Sequence, residues 1–253
     1  MPAHCRKSGN RIKQVKSRPF VPLVGDKRRY LPAKRNPRYA ERAGADSWRI
    51  SVQLVCLDLE GVLVPEIWIE FSKRTGIPEL SRTTRDEPDY DKLMKYRLDL
   101  LKTHKLGLPD IRKVISDMGP MAGAKDFLDA LRHDYQVIIL SDTFYEFAMP
   151  LMAQLNMPVL FCHKLEADSA GFVVNYHLRM PNQKMESVRR FKELNFKVIA
   201  GGDSYNDTAM LAEAHAGILF HPPQNVVDEF PQFPVTMNYT ELRAEIDKAS
   251  KRI

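Results

Sequence analysis

The first 49 residues show no regular spacing of apolar positions, and only seven of them are Leu, Ile, Val or Phe. From Val52 the pattern changes. Positions 52–57 form a short run rich in Val and Leu that reads as a strand ending on Asp58. Glu60 and Gly61 then read as a turn, and 66–75 as a helix. Over 89–105, Leu93, Met94, Leu98 and Leu101 keep the spacing of one helix face. Pro109 stands near the start of another helix over 111–118. The stretch 66–120 is therefore predicted to be all helical.

Strands and helices alternate after it. Helices are predicted over 124–132, 144–155, 185–194, 207–213 and 241–249, and strands over 136–140, 159–162, 197–200 and 217–220. Gly171 marks a hairpin turn between Leu165 and Leu178. Such alternation predicts an α/β fold with a parallel sheet. The domain organisation expected is a core made of 51–65 and 121–253, with the helical block 66–120 inserted after the first strand as a small separate domain.

Charge changes the picture at the N-terminus. The 253 residues carry a net charge of +6. Residues 1–49 hold 14 Lys and Arg against three acids, a net of +11, and the rest hold 24 against 29, a net of −5. Few large apolar residues, five prolines and a high net charge predict a basic, disordered extension over 1–50. Three readings of it stay open: an extension or misplaced start without a role, an arm for nucleic acid or another acidic surface, and an Arg-rich transit peptide. Three cysteines (Cys5, Cys56, Cys162) are too few for a disulfide framework, so a reducing, cytoplasmic compartment is expected. No apolar run approaches the ~18 residues of a membrane span.

In open α/β sheets ligands bind beyond the carboxyl ends of the strands. The first strand ends on Asp58-Leu59-Glu60, the second on Ser141-Asp142-Thr143, and a later one on Gly202-Asp203-Ser204-Tyr205-Asn206-Asp207, while Lys184 opens a helix. Singly, each has an ordinary use as a turn residue, a helix cap or a surface lysine. Together, on successive strand ends, they bring carboxylates, a hydroxyl and an ammonium to one crevice. Clustered carboxylates are costly without a cation, and oxygen donors suit Mg²⁺. His163, His177, His215 and His221 lack metal-ligand spacing and read as structural or surface groups. Cys56 reads as a buried apolar residue, and Trp68 with Phe71 as helix packing.

These four segments resemble the motifs of the haloacid dehalogenase-like phosphohydrolases, and the helical block resembles their small cap domain. The run 56–69, the run 139–147 and the run 202–208 are similar to the branch of bifunctional phosphoserine phosphatases that also transfer phosphate to homoserine. The resemblance covers about residues 52–250 and leaves out the basic extension. It implies a Rossmann-like parallel sheet with a cap, and O-phosphoserine as substrate. Asp58 would be the nucleophile and form an aspartyl-phosphate. Mg²⁺ would be held by Asp58, the main-chain carbonyl of Glu60 and Asp203. Ser141 and Lys184 would bind the phosphoryl group, and Asp207 would orient Lys184 or a metal-bound water. Asn206 would order its loop or touch phosphate.

Glu60 would be the acid and base, at a position where most of the superfamily has Asp. Its extra methylene requires a different local turn and motivates homoserine as an acceptor competing with water. Arg97 would grip the substrate carboxylate; its alternative is an exposed helix charge paired with Asp91 or Asp99. Glu66 is the candidate for the substrate ammonium. Asp142 and Thr143 replace two glycines of ordinary phosphoserine phosphatases, so that loop is expected to bind substrate differently. A small cap leaves such a site partly open, and a homodimer is one way to shape it. The rival readings are a phosphatase for another small monoester, which would make no use of Arg97 and Glu66, and nucleic-acid binding through the extension.

Overall fold

The computed structural model describes residues 52–83, 86–87 and 89–253. The expectations for the basic extension lie outside these residues. Seven strands form one sheet in the order β4-β3-β2-β1-β5-β6-β7. They are β1 (Gln53–Leu57), β2 (Gln136–Phe144), β3 (Val159–Ala167), β4 (Val173–His177), β5 (Lys197–Gly202), β6 (Ala216–Phe220) and β7 (Val235–Thr236). Every pairing is parallel except β3 with β4, the hairpin that turns at Gly171.

The alternation along β1 sets the layers. Val55 and Leu57 face one apolar cluster, and Leu54 and Cys56 face the other. The first cluster is completed by α4 (Ala124–Asp134), α5 (Tyr145–Gln154) and α9 (Tyr239–Ser250). The second takes α6 (Gln183–Glu193), α7 (Thr208–Glu213) and α8 (Gln224–Glu229). A strand buried on both faces is aliphatic throughout, which is why 52–57 stood out.

Between β1 and α4 lie α1 (Ile67–Thr75), a 3₁₀ turn (Pro78–Ser81), α2 (Tyr90–Thr103) and α3 (Leu108–Ser116). Ile67, Phe71, Met94, Leu101, Ile111 and Ile115 from this block are buried in the first cluster with Phe147 and Leu151 of α5. The block thus shares its apolar interior with the sheet layer.

Three differences from the sequence-based elements matter. β2 runs to Phe144 rather than stopping at 140. There the pairing with β3 is irregular, four steps along β2 from Leu140 to Phe144 matching two along β3 from Phe161 to His163. Such a bulge re-aims side chains, and here it carries Ser141, Asp142 and Thr143. β3 is lengthened by its hairpin with β4. α8 and β7 are additional elements, short and set among prolines. No helix among the described residues is long and apolar enough to cross a membrane.

Candidate active site

β1 lies between β2 and β5, where the chain's progress across the sheet reverses. The Asp58 N–H donates to the Gly201 carbonyl at 2.9 Å, which fixes the end of β1 against β5. Asp58 Oδ1 accepts from the Leu59 N–H at 2.7 Å and lies 2.9 Å from Lys184 Nζ. Lys184 Nζ also donates to Asp207 Oδ1 at 2.8 Å. Lys184 is 6% exposed, Asp58 4% and Asp207 0%, so little water screens these contacts. Asn182, at φ 47°, turns the chain into α6 and delivers Lys184 in its first turn.

Asp207 is saturated. Its Oδ2 accepts from the N–H groups of Asp203 (3.0 Å) and Ser204 (3.1 Å) and from the Ser204 hydroxyl (3.3 Å). A Cβ on Gly202 would meet Asp207 at 2.4 Å, so only glycine lets this carboxylate fold beneath the loop. The Asp203 carboxylate has no cation beside it among the described residues. It packs against Gly61, which has φ +74° and whose added Cβ would lie 2.4 Å from Asp203 Oδ2.

Carboxylate oxygens of Asp58, Asp203 and Asp207 lie within 4.8 Å of one another. One ammonium, Lys184, pairs with Asp58 and Asp207 and leaves Asp203 without an ion pair among the described residues. Burial, Asp207 and Asp203 together push the Asp58 carboxyl well above the usual range, against the pull of Lys184. Burial first, then Asp207 and Glu66, raise Asp203 to about 7. Burial alone would lower the Lys184 ammonium, but Asp207, Asp58 and Asp142 outweigh it and keep it charged. The cluster therefore has uncompensated negative charge and hard oxygen donors, which fit a divalent cation. Because Asp207 spends its lone pairs on Lys184 and the loop, Asp58 and Asp203 are the side chains left for such an ion.

The Glu60 carboxylate turns towards the start of α1, where its Oε2 accepts from the Ile67 N–H at 2.9 Å. A tight turn supports this: the Gly61 N–H donates to Val64 O and the Leu63 and Val64 N–H groups to Leu59 O. The extra methylene is taken up in that reach. Burial, with Glu66 second, raises Glu60 to about 8, opposed by the Ile67 amide and the Thr143 hydroxyl.

On the β2 side, Ser141 is 1% exposed and its hydroxyl accepts from the Thr143 N–H at 3.3 Å. The Gln183 amide donates to the Ser141 carbonyl and to Asp142 Oδ1, the latter at 3.2 Å. Asp142 lies 3.6 Å from Lys184 Nζ and 3.7 Å from His163 Nε2. His163 Nδ1 accepts from the Arg179 N–H at 3.1 Å, so a neutral ring presents its N–H to Asp142. His163 is thus a buried structural group.

Most of the predicted site residues share one cavity of about 630 Å³. Asp58, Glu60, Glu66, Arg97, Ser141, Asp142, Thr143, Lys184, Asp203 and Asn206 line it, and Asp207 lies behind its wall. Arg97 is 7% exposed, which rules out an exposed helix charge. Neither Asp91 nor Asp99 pairs with it. One of its terminal nitrogens donates to the Arg82 carbonyl at 2.7 Å, the guanidinium lies 4.5 Å over the Trp68 ring, and its Nε has no acceptor. Burial lowers its pKa to about 10, with Tyr90, Glu60 and Glu66 opposing, so it stays charged at neutral pH. Glu66 is exposed and carries no ion pair among the described residues. Sequence reasoning missed Tyr90, Tyr205 and Asn225 as lining residues. The only signal for Tyr90 was its position seven residues before Arg97 on one helix.

Comparison with known proteins places the chain in a family. The sequence model of the haloacid dehalogenase-like hydrolases matches residues 52–215. The chain is 59% identical over 201 residues to phosphoserine phosphatase ThrH of Pseudomonas aeruginosa, covering 79% of this chain and 98% of that protein. It is 58% identical over 202 residues to a phosphoserine phosphatase of Pseudomonas syringae pv. tomato, covering 80% and 85%. In fold it resembles the phospho-aspartyl intermediate analogue of a phosphoserine phosphatase, with TM-score 0.64, 18% identity, and 78% and 99% of the two chains covered.

Proposed function

The chain belongs to the haloacid dehalogenase-like hydrolases, and we propose on that footing that it is a phosphoserine phosphatase working through an aspartyl-phosphate on Asp58. Arg97 is the observation that carries the reading. A buried guanidinium with an unused Nε, facing the cavity that holds Asp58 and Lys184, calls for an anionic group from outside the chain. A substrate with both phosphate and carboxylate supplies it, and the unpaired Glu66 takes the ammonium.

In the first step an Asp58 oxygen attacks phosphorus while the bond to the seryl oxygen breaks. Glu60, raised to about 8, holds a proton at neutral pH and gives it to the leaving oxygen. Ser141 donates to a phosphoryl oxygen, and Lys184 steadies Asp58 and the phosphate. In the second step Glu60, now a carboxylate, takes a proton from the acceptor hydroxyl, which attacks phosphorus and frees Asp58. With water the product is inorganic phosphate; with homoserine it is phosphohomoserine. Mg²⁺, held by Asp58, the Glu60 carbonyl and Asp203, would supply positive charge that offsets the repulsion between nucleophile and phosphate. Asp207 orients Lys184.

The reading includes a cytoplasmic setting, in which the buried, unbridged Cys56 and Cys162 stay reduced. It also includes a homodimer that screens the open side of the cavity. The test is phosphate release from O-phosphoserine against a sugar phosphate. Preference for phosphoserine supports the amino-acid reading, and equal turnover removes it. Added homoserine that yields no phosphohomoserine removes the transfer step alone.

A further inference from the structure

Tyr90 is the first residue of α2, and Arg97 follows it by seven. Seven residues are about two helical turns, so both side chains lie on one face and reach the same cavity. The Tyr90 ring is held from behind. It meets Tyr176 edge-on, with centroids 5.9 Å apart, and Tyr176 is itself fixed by a hydrogen bond to Asp91 and an edge contact with Phe144 at 6.2 Å. No partner for the Tyr90 hydroxyl occurs among the described residues. The charges it feels most strongly are Asp142 and then Arg97, one of each sign, and burial with Asp142 keeps the phenol protonated and able to donate. A carboxylate has two oxygens and about four lone-pair sites, more than one guanidinium edge fills.

We propose that Tyr90 is a specificity-determining residue whose hydroxyl donates to the substrate carboxylate held by Arg97, so that two side chains of one helix face read that group together. This rests on the phosphoserine reading above. It also explains why a tyrosine with an idle hydroxyl is braced by Tyr176 beside the cavity.

Tyr90→Phe removes one oxygen and leaves the ring and its contacts. Steady-state kinetics on O-phosphoserine and on O-phosphoethanolamine, which has the same phosphate and ammonium but no carboxylate, separate the roles. The expected result is a roughly tenfold higher KM for phosphoserine, with kcat within about twofold and the preference over phosphoethanolamine reduced by the same factor. An unchanged KM for phosphoserine, or equal changes for both substrates, overturns the assignment. A wild-type enzyme that turns over phosphoserine while Tyr90→Phe behaves identically removes only Tyr90. A wild-type enzyme inert to phosphoserine removes the parent reading and this one with it.

Discussion

The guanidinium of Arg97 lies 4.5 Å over the ring of Trp68, and no carboxylate among the described residues pairs with it. The indole face gives the charge a weak, non-directional partner. It leaves Nε without an acceptor, and the proposed function assigns the incoming carboxylate to this guanidinium. Arg97→Ala should therefore raise KM for phosphoserine by about 10- to 100-fold, the effect of losing a charge-assisted pair of roughly 1.5–3 kcal/mol. Turnover of an aryl phosphate should change little. Equal losses on both substrates would refute the carboxylate role.

Among the described residues, Lys184 is the only cation in contact with both Asp58 and Asp207. Lys184→Met should leave those buried carboxylates uncompensated and lower stability by about 3–5 kcal/mol near neutral pH. The sign with pH follows. Without the ammonium the folded-state pKa of Asp58, already raised by burial, rises further, so the variant regains stability as pH falls and Asp58 protonates. Thermal melts of metal-free protein at acid and alkaline pH would show a gap from wild type that narrows towards acid. A gap independent of pH would mean that Lys184 acts through packing.

Without metal, Asp203 titrates near 7 and Glu60 near 8, both above their unfolded values, so the fold holds protons there. Metal-free stability is lost as pH rises through those values. Cation binding needs the deprotonated form, so it should release protons and strengthen between about pH 6 and 8. Calorimetric titration with Mg²⁺ in two buffers of different ionisation enthalpy measures the number released. Equal apparent enthalpies in both buffers would argue against a protonated resting cluster.

Gly61→Ala would place a methyl 2.4 Å from Asp203 Oδ2 at a backbone angle of φ +74°. The loop and Asp203 must separate. Strain at the left-handed position costs about 1 kcal/mol, so the fold should survive. Mg²⁺ affinity should fall by about tenfold or more if Asp203 is a ligand. Intact affinity in a folded variant would remove Asp203 from the metal set.

Much of the site was legible because β1 and β5 are buried on both faces, which makes them aliphatic runs that end abruptly on Asp58 and on Gly202-Asp203. Local sequence did not show the bulge that lengthens β2, since it arises from pairing with β3. Nor could it show that Gln183 and His163 hold Asp142, contacts that span 41 and 21 positions. α8 and β7 were too short for a periodic signal. Tyr90 was illegible as a site residue because its position depends on Tyr176, which reaches it across the hairpin. For Arg97 the sequence left two readings, and burial excludes only the exposed helix charge.

In the proposed mechanism the phosphoryl group passes through Asp58. The direct measurement is phosphate release from O-phosphoserine with Mg²⁺, with and without homoserine, by wild type and by Asp58→Asn, which keeps the shape and removes the nucleophilic charge. Wild type should turn over phosphoserine, and Asp58→Asn should lose about a thousandfold or more in kcat while remaining folded, with phosphate and phosphohomoserine lost together. Undiminished turnover by Asp58→Asn would contradict the aspartyl-phosphate mechanism.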